Sequence, residues 1–370
     1  MSLFSSYSLN NGVTIKNRLV VAPMTHFGAN EDGSLSAQER AFLQQRAMGF
    51  GLFISAATLV QKGGKAFYGQ PYATDESCLA ALNERAKLIK NQGAKAILQL
   101  HHGGNKAMPD LVDGTPLRAP SDDETTGAKA FSEMEIQSLI QAFANATDLA
   151  IRAGFDGVEI HGANGYVIQQ FYSAQTNRRG DQWGEPLAFP LAVVDAVCAM
   201  REKHQRADFI IGYRFSPEEA GERGLTMENA FQLVDALCAK PLQYLHVSLW
   251  DFYKKARRGA DQHLTRMQLL HRQINGRLPL IGVGNLLSGE QIEQAFQTHW
   301  AEFIALGKAV MLNPNIVELL QQRRFAEIET KLNPTRADHY DFPDYLWAMA
   351  KEGTPWLPPV QGKDWQPLDI

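Results

Sequence analysis

Several polar residues interrupt runs of otherwise apolar sequence, and their types suit the binding of a cofactor and the movement of a proton. Gln99 lies inside AILQLHH, and Arg214 inside IIGYRF. His161 lies near the end of DGVEIHG and is followed by Asn164 and Tyr166 in an H-x-x-N-x-Y spacing, while Thr25 follows RLVVAPM. A charge buried in such a run needs a partner. For Arg214, an anionic or electron-rich ligand is one such partner.

Glycines form a second group. Gly282-Val283-Gly284-Asn285 ends one apolar run and Gly307-Lys308 ends another. Glycine lets backbone N–H groups approach a dianion closely, and Lys308 adds positive charge, so a phosphate site is expected here. The plain alternative is a pair of ordinary strand-end glycines. GVGNLL is a weak dinucleotide fingerprint: Leu287 stands where a third small residue belongs, and Glu302 opens the next run rather than ending it. Each single position also has a bland reading: His161 as a core histidine, Tyr166 as packing, Thr25 as a strand terminator. His26, His101 and His102 raise the question of a metal, but no third ligand has sensible spacing, so none is expected.

These residues need a scaffold. Short apolar runs at 18–24, 51–58, 95–101, 156–162, 209–215, 243–248, 279–284 and 302–307 read as strands buried on both faces. Between them, helical patterns cover 39–49, 77–92, 132–153, 187–203, 226–239, 263–275, 288–297 and 314–321. Ser36 with Glu39, and Ser132 with Glu135, have capping-box spacing, and Gly93 and Gly154 suit helix ends. Unbroken alternation favours an α/β fold of the single (β/α)8 or TIM-barrel class over an open sheet. The long loops at 60–76, 102–131, 216–225 and 249–262 follow strands, on the face where such barrels build active sites. KKARRG at 254–259 reads as a solvated face, with contact to a ligand's phosphates or ribose as the alternative. Residues 1–325 are expected to form the barrel, and 326–370 an aromatic-rich tail packed on it.

Composition narrows the field. The 370 residues are 45% apolar and 21% charged, enough for a large core, and a net charge of −4 argues against a nucleic-acid partner. Cys78, Cys198 and Cys238 form no C-x-x-C pair, so a disulfide framework, zinc site or iron–sulfur cluster is not expected. The N-terminus shows no secretory pattern, and no run nears the roughly 18 apolar residues that span a bilayer. A cytoplasmic protein without membrane contact is expected; assembly into a homo-oligomer stays open.

The segments KNRLVVAPM, LQLHHGGNKA, AGFDGVEIHGANGYVIQQF, GYRFSPEE, GLT, VGNL and GKAVMLNP occur in the order of, and resemble, the Old Yellow Enzyme family of FMN-dependent ene-reductases, over about residues 3 to 320. The resemblance implies FMN as cofactor, NAD(P)H as reductant and an electron-poor alkene as substrate. It assigns His161 and Asn164 to the substrate's carbonyl or nitro oxygen, and Tyr166 to proton donation at the α-carbon. It places Gln99 and Arg214 at the flavin pyrimidine, Thr25 and Ala57 near flavin O4, with Pro23 and Met24 adjoining. Val283, Gly284, Asn285, Gly307 and Lys308 fall at the phosphate, and Phe27 at the substrate. The H-x-x-N-x-Y roles require an irregular loop, since a regular strand sends 161 and 164 to opposite faces.

Departures from the family pattern are Thr25 and Phe27 where one branch has Cys and Tyr, Asn105 and Lys308 for Arg, an altered 182–190 segment, and no arginine beyond Arg336. Lys308 keeps the charge but loses the bidentate fork. Two other readings stand beside this one. A flavin-binding redox sensor or storage module would not need Tyr166 and the donor pair, and an FMN-barrel dehydrogenase of the dihydroorotate type would not carry H-x-x-N-x-Y.

Overall fold

The computed structural model describes residues 2–366. Eight parallel strands close into a barrel: β1 Leu19–Val21, β2 Leu52–Ile54, β3 Lys95–His101, β4 Gly157–Gly162, β5 Ile210–Phe215, β6 Tyr244–Val247, β7 Leu280–Gly282 and β8 Phe303–Leu306. Each pairs with its sequence neighbours, and β8 returns to β1 through Ile304–Leu306 against Leu19–Val21. All eight expected strands are present. The first two stop sooner than their apolar runs: Pro23 interrupts the first, and residues after Ile54 leave the second until Thr58 and Leu59 pair again beside β3.

The helices that follow the strands are α1 Ala37–Leu43, α2 Leu79–Lys90, α3 Glu133–Ala153, α4 Ala188–Lys203, α5 Met227–Cys238, α6 Arg266–Ile274, α7 Gly289–Gln297 and α8 Ile316–Gln321. Ser132 and Glu135 form the full capping box expected, and Gly154 ends α3 in the left-handed conformation. Ser36 caps α1, but Glu39 does not complete the box. Its carboxylate turns inward to accept from Arg85 Nε at 2.9 Å and Nη2 at 2.7 Å, with His26 Nε2 at 3.4 Å. A bidentate buried pair outcompetes one terminal backbone bond.

Alternate strand residues fill the barrel interior: Val20, Leu52, Ile54, Ile97, Ile210, Tyr244, Ile281, Phe303 and Ala305. Leu9, just after the strand Tyr7–Ser8, and Ile15, in the paired strand Thr14–Ile15, plug the N-terminal end. The other strand faces pack on the helices. The tail shares that outer core through Tyr340, Leu346, Ala350, Leu357 and Val360, including helix α9 (Asp344–Lys351). Arg46 ties α1 to it by donating to the Tyr340 carbonyl.

The 254–259 loop departs from its expected solvated state. Lys254, Arg257 and Arg258 are half-buried, the backbone N–H groups of Arg257 and Arg258 donate to Glu218, and the Arg258 guanidinium binds the Gly224 carbonyl at 2.7 Å. Glu218 is buried and also accepts from Arg266 at 2.6 Å, so the carboxylate anchors the loop after β6 to the loop after β5. Among the described residues no metal-binding cluster occurs, and no helix is long and apolar enough to cross a membrane.

Removing one partner of a buried ion pair strands the other. Arg85→Met is expected to lower unfolding stability by about 3–5 kcal/mol in urea; a loss below about 1 kcal/mol would contradict the structural role of the Glu39 pair.

Candidate active site

Strand register brings the polar residues to shared levels. Gln99 on β3 stands opposite Glu159 on β4, and Arg214 on β5 stands between His161 on β4 and His246 on β6. Gly212 lacks a side chain where the Tyr244 ring fills the barrel; a Cβ there would collide with that ring. Above these levels, adjoining cavities of about 680 and 160 Å³ share Pro23, Thr25, Asn164, Arg214, Trp250 and Trp356 as walls.

The floor is an electrostatic network. Glu159 is 0% exposed and accepts from Gln99 Nε2 at 2.7 Å and His246 Nδ1 at 2.9 Å. Burial opposes its ionisation, but His246, Arg214 and Gln99 together hold its carboxyl below the usual range. Burial draws the Arg214 guanidinium down, and the nearby Glu159 charge resists this. The Arg214 guanidinium makes no hydrogen bond to any described residue, and its buried Nε is orphaned. Gln99 Oε1 likewise has no protein donor among the described residues. Such an unpaired donor fork and acceptor are costly unless a ligand meets them. A flavin pyrimidine edge, with its carbonyls, N1 and N3–H, has complementary groups, so the residues fit FMN. Thr25 and Ala57 line the larger cavity beside them. The Ala57 carbonyl accepts from Gln70 Nε2 at 3.1 Å, leaving its N–H for a ligand.

At the other end, Met24, Val283, Asn285, Gly307 and Lys308 line the smaller cavity. Lys308 is 9% exposed, its ammonium donates among the described residues to Asn285 Oδ1 alone, at 3.3 Å, and burial pushes its pKa down to about 8. An anion there would favour the ammonium form and draw its pKa back up. Gly284 does not line either cavity. It has φ +148°, and a Cβ would strike the backbone of Phe252, whose N–H donates to the Gly284 carbonyl at 3.2 Å. The glycine thus lets the loops after β6 and β7 pack, which aims Val283 and Asn285 inward.

The H-x-x-N-x-Y segment is irregular, as its proposed roles require. Asn164 at φ +58° and Gly165 at φ +71° break the strand, so His161, Asn164 and Tyr166 all line the larger cavity. His161 Nδ1 accepts from the Ala163 N–H at 3.4 Å, which leaves Nε2 to carry the proton. Burial and Arg214 push its pKa down to about 3, so the ring is neutral at ordinary pH. Asn164 Oδ1 accepts from Ser248 Oγ at 2.8 Å and Ser216 Oγ at 3.4 Å, fixing its amide N–H2 as the donor end. Its carbonyl accepts from Lys106 Nζ at 2.8 Å. Tyr166 packs edge-on against His101, with centroids 4.4 Å apart, and against His161 at 5.3 Å. Burial pushes its phenol up to about 12, so it remains a proton donor.

Phe27, at φ +56°, forms an aromatic wall with Phe67, Tyr345 and Trp356 at centroid distances of 6.5, 5.0 and 5.9 Å. The sequence reading reaches neither Glu159 and His246 nor the tail's Tyr345 and Trp356. The first pair did carry a signal, a polar residue inside GVEIHG and inside YLHV, identical in kind to that of Gln99 and Arg214.

Residues 2–327 match the model of the NADH:flavin oxidoreductase / NADH oxidase family. A probable NADH-dependent flavin oxidoreductase of Bacillus subtilis, YqiG, is 43% identical over 363 residues, covering 96% of this chain and 97% of that protein. The NADH:fumarate oxidoreductase of Klebsiella pneumoniae is 32% identical over 94% of this chain, which spans only 39% of its length. Morphinone reductase superposes with a TM-score of 0.75 at 25% identity, covering 92% of this chain and 96% of its own.

The orphaned guanidinium generates a direct test. Arg214→Met is expected to weaken FMN binding at least about tenfold, as one or two charge-assisted hydrogen bonds are lost. Flavin fluorescence during titration of the apoprotein reads this, and an unchanged dissociation constant would contradict it. With barrel, site and sequence in agreement, the chain belongs to the NADH:flavin oxidoreductase / NADH oxidase family, that of Old Yellow Enzyme, and is an FMN-using, NAD(P)H-dependent oxidoreductase.

Proposed function

We propose that this oxidoreductase reduces electron-poor C=C bonds, those of enones, enals and nitroalkenes, by net addition of hydride and a proton. The observation that carries the reading is one cavity wall holding two neutral N–H donors and a neutral phenol, His161, Asn164 and Tyr166, with no protein acceptor claiming either donor among the described residues. FMN, when bound, supplies the hydride and takes it from NAD(P)H.

The chain's own residues do the rest. The His161 Nε2–H and Asn164 amide N–H converge on the acceptor oxygen, where negative charge grows as the β-carbon is reduced. Donors placed in advance stabilise that charge without reorganising, which is how an oxyanion hole lowers a barrier. Lys106, Ser216 and Ser248 hold Asn164 in its left-handed turn, so the second donor keeps its aim. Tyr166 gives its hydroxyl proton to the α-carbon. Its raised pKa keeps that proton in place, and its ring is fixed between His101, His161 and Phe67. Phe27, Tyr345 and Trp356 cover the cavity with apolar surface that excludes water.

Two relatives support the bond type. The Vibrio harveyi NADH:acrylate oxidoreductase and the Klebsiella enzyme act, by their names, on conjugated alkenes. This chain spans 31% and 39% of those proteins, so the acids themselves are not carried over.

Tyr166→Phe is expected to slow reoxidation of the reduced enzyme by cyclohexenone about 100-fold or more, the usual worth of a positioned acid, and to leave reduction by NAD(P)H nearly intact. Equal slowing of both halves in stopped-flow would contradict the role. His161→Ala is expected to weaken p-hydroxybenzaldehyde, a phenolate mimic of the enolate, by about tenfold or more; an unchanged affinity would remove His161 from the oxygen site. Between His161 near 3 and Tyr166 near 12, neither group titrates, so the alkene half-reaction should be flat from about pH 5 to pH 10. An inflection near pH 6–7 that disappears in His161→Ala would show a protonatable His161 and overturn the neutral-donor account.

A further inference from the structure

Besides Arg214, Lys308 is the other poorly satisfied charge of the site: 9% exposed, with one long contact to Asn285. Lysine is a point charge without the fork of an arginine, so a phosphate held there has room for further donors. Two indoles approach its ammonium. Trp250 follows β6 and lies 5.9 Å away by ring centroid. Trp365 comes from the tail and lies closer, at 4.3 Å.

The course of the tail explains how it arrives. Leu332 and Val360 bridge, with the Leu332 N–H donating to the Pro359 carbonyl at 2.7 Å and the Gln361 N–H to the Leu332 carbonyl at 2.9 Å. Leu357 and Val360 are fully buried, and Trp356 walls both cavities. The segment beyond then runs beside Leu287 and Ser288, just past Asn285, and sets Trp365 over Lys308.

One atom there is unexplained. The Trp365 indole nitrogen is buried and has no acceptor among the described residues. Indole N–H is donor-only and finds a partner when buried. A cation under the ring offers none, whereas a phosphate beside that cation offers several oxygens.

We propose that Trp365 belongs to the cofactor site: its N–H donates to a phosphate oxygen of FMN, and its ring shields the Lys308–phosphate pair from water, making the tail a clasp on the cofactor. This rests on the reading that Val283, Asn285, Gly307 and Lys308 hold the phosphate.

The test titrates full-length apoprotein with FMN and with riboflavin, following flavin fluorescence, in the wild type and in Trp365→Phe, Trp365→Ala and Lys308→Met. Phe keeps the ring and removes only the N–H; thermal melts confirm equal folding. Expected is FMN affinity about tenfold weaker in Trp365→Phe, riboflavin affinity unchanged, and a larger FMN loss in Lys308→Met. Wild-type FMN affinity in Trp365→Phe, with weakened binding in Lys308→Met, would overturn the clasp and leave the phosphate site standing. Wild-type affinity in both would overturn the clasp and the phosphate site together. Equal loss of FMN and riboflavin would reduce Trp365 to packing, and tighter FMN binding in Trp365→Ala would mean the indole occupies the phosphate's place; either overturns the proposal.

Discussion

A carboxylate sealed inside the barrel organises the rest of the site. Glu159 has no access to water, so it stays ionised only because Gln99 and His246 donate to it and Arg214 lies near. In turn, Glu159 keeps Arg214 charged in a place where burial works against it. The arrangement leaves a guanidinium with no hydrogen bond to any described residue beneath a large cavity. Such an unpaired cation is tolerable because a ligand completes it. Replacing one member of so tight a set costs several kcal/mol, since its partners are left charged and dry.

The barrel makes this possible through register alone. Parallel pairing sets Gln99 level with Glu159, and His161 and His246 level with Arg214, although more than a hundred residues separate the ends of that set. The loops then take over. A left-handed turn at Asn164 and Gly165 converts the end of β4 into a platform that points three donors into one space. The tail folds back to close the other side with Tyr345 and Trp356. Rigid strands place the floor, and loops and tail shape the walls.

Much of this was legible in one dimension, and the reasons for the gaps are physical. Gln99 and Arg214 stand out because a polar residue inside an apolar run must have a purpose. Glu159 and His246 send the same signal, but they are partners across 87 residues, and which polar residues meet is a property of strand order and register. Gly284 reads as a phosphate contact, yet its conformation serves the backbone of Phe252. Glu39 has the spacing of a cap and instead pairs with Arg85, because a full charge nearby outweighs a terminal N–H. KKARRG reads as solvated because its charges are visible and the buried Glu218 that collects its N–H groups is not. Nothing in the tail's composition says which face of a barrel its aromatic residues will cover.

The central claim is that a protonated Tyr166, opposite a hydride source, completes alkene reduction. Its most direct test is a single anaerobic turnover in D2O: the holoenzyme is reduced with NADH, mixed with cyclohexenone, and the product examined by NMR. The account predicts flavin reoxidation by the alkene and one deuterium at the α-carbon of cyclohexanone. Reduced flavin that persists against cyclohexenone and a panel of other activated alkenes would contradict it, as would a product without solvent deuterium at that carbon.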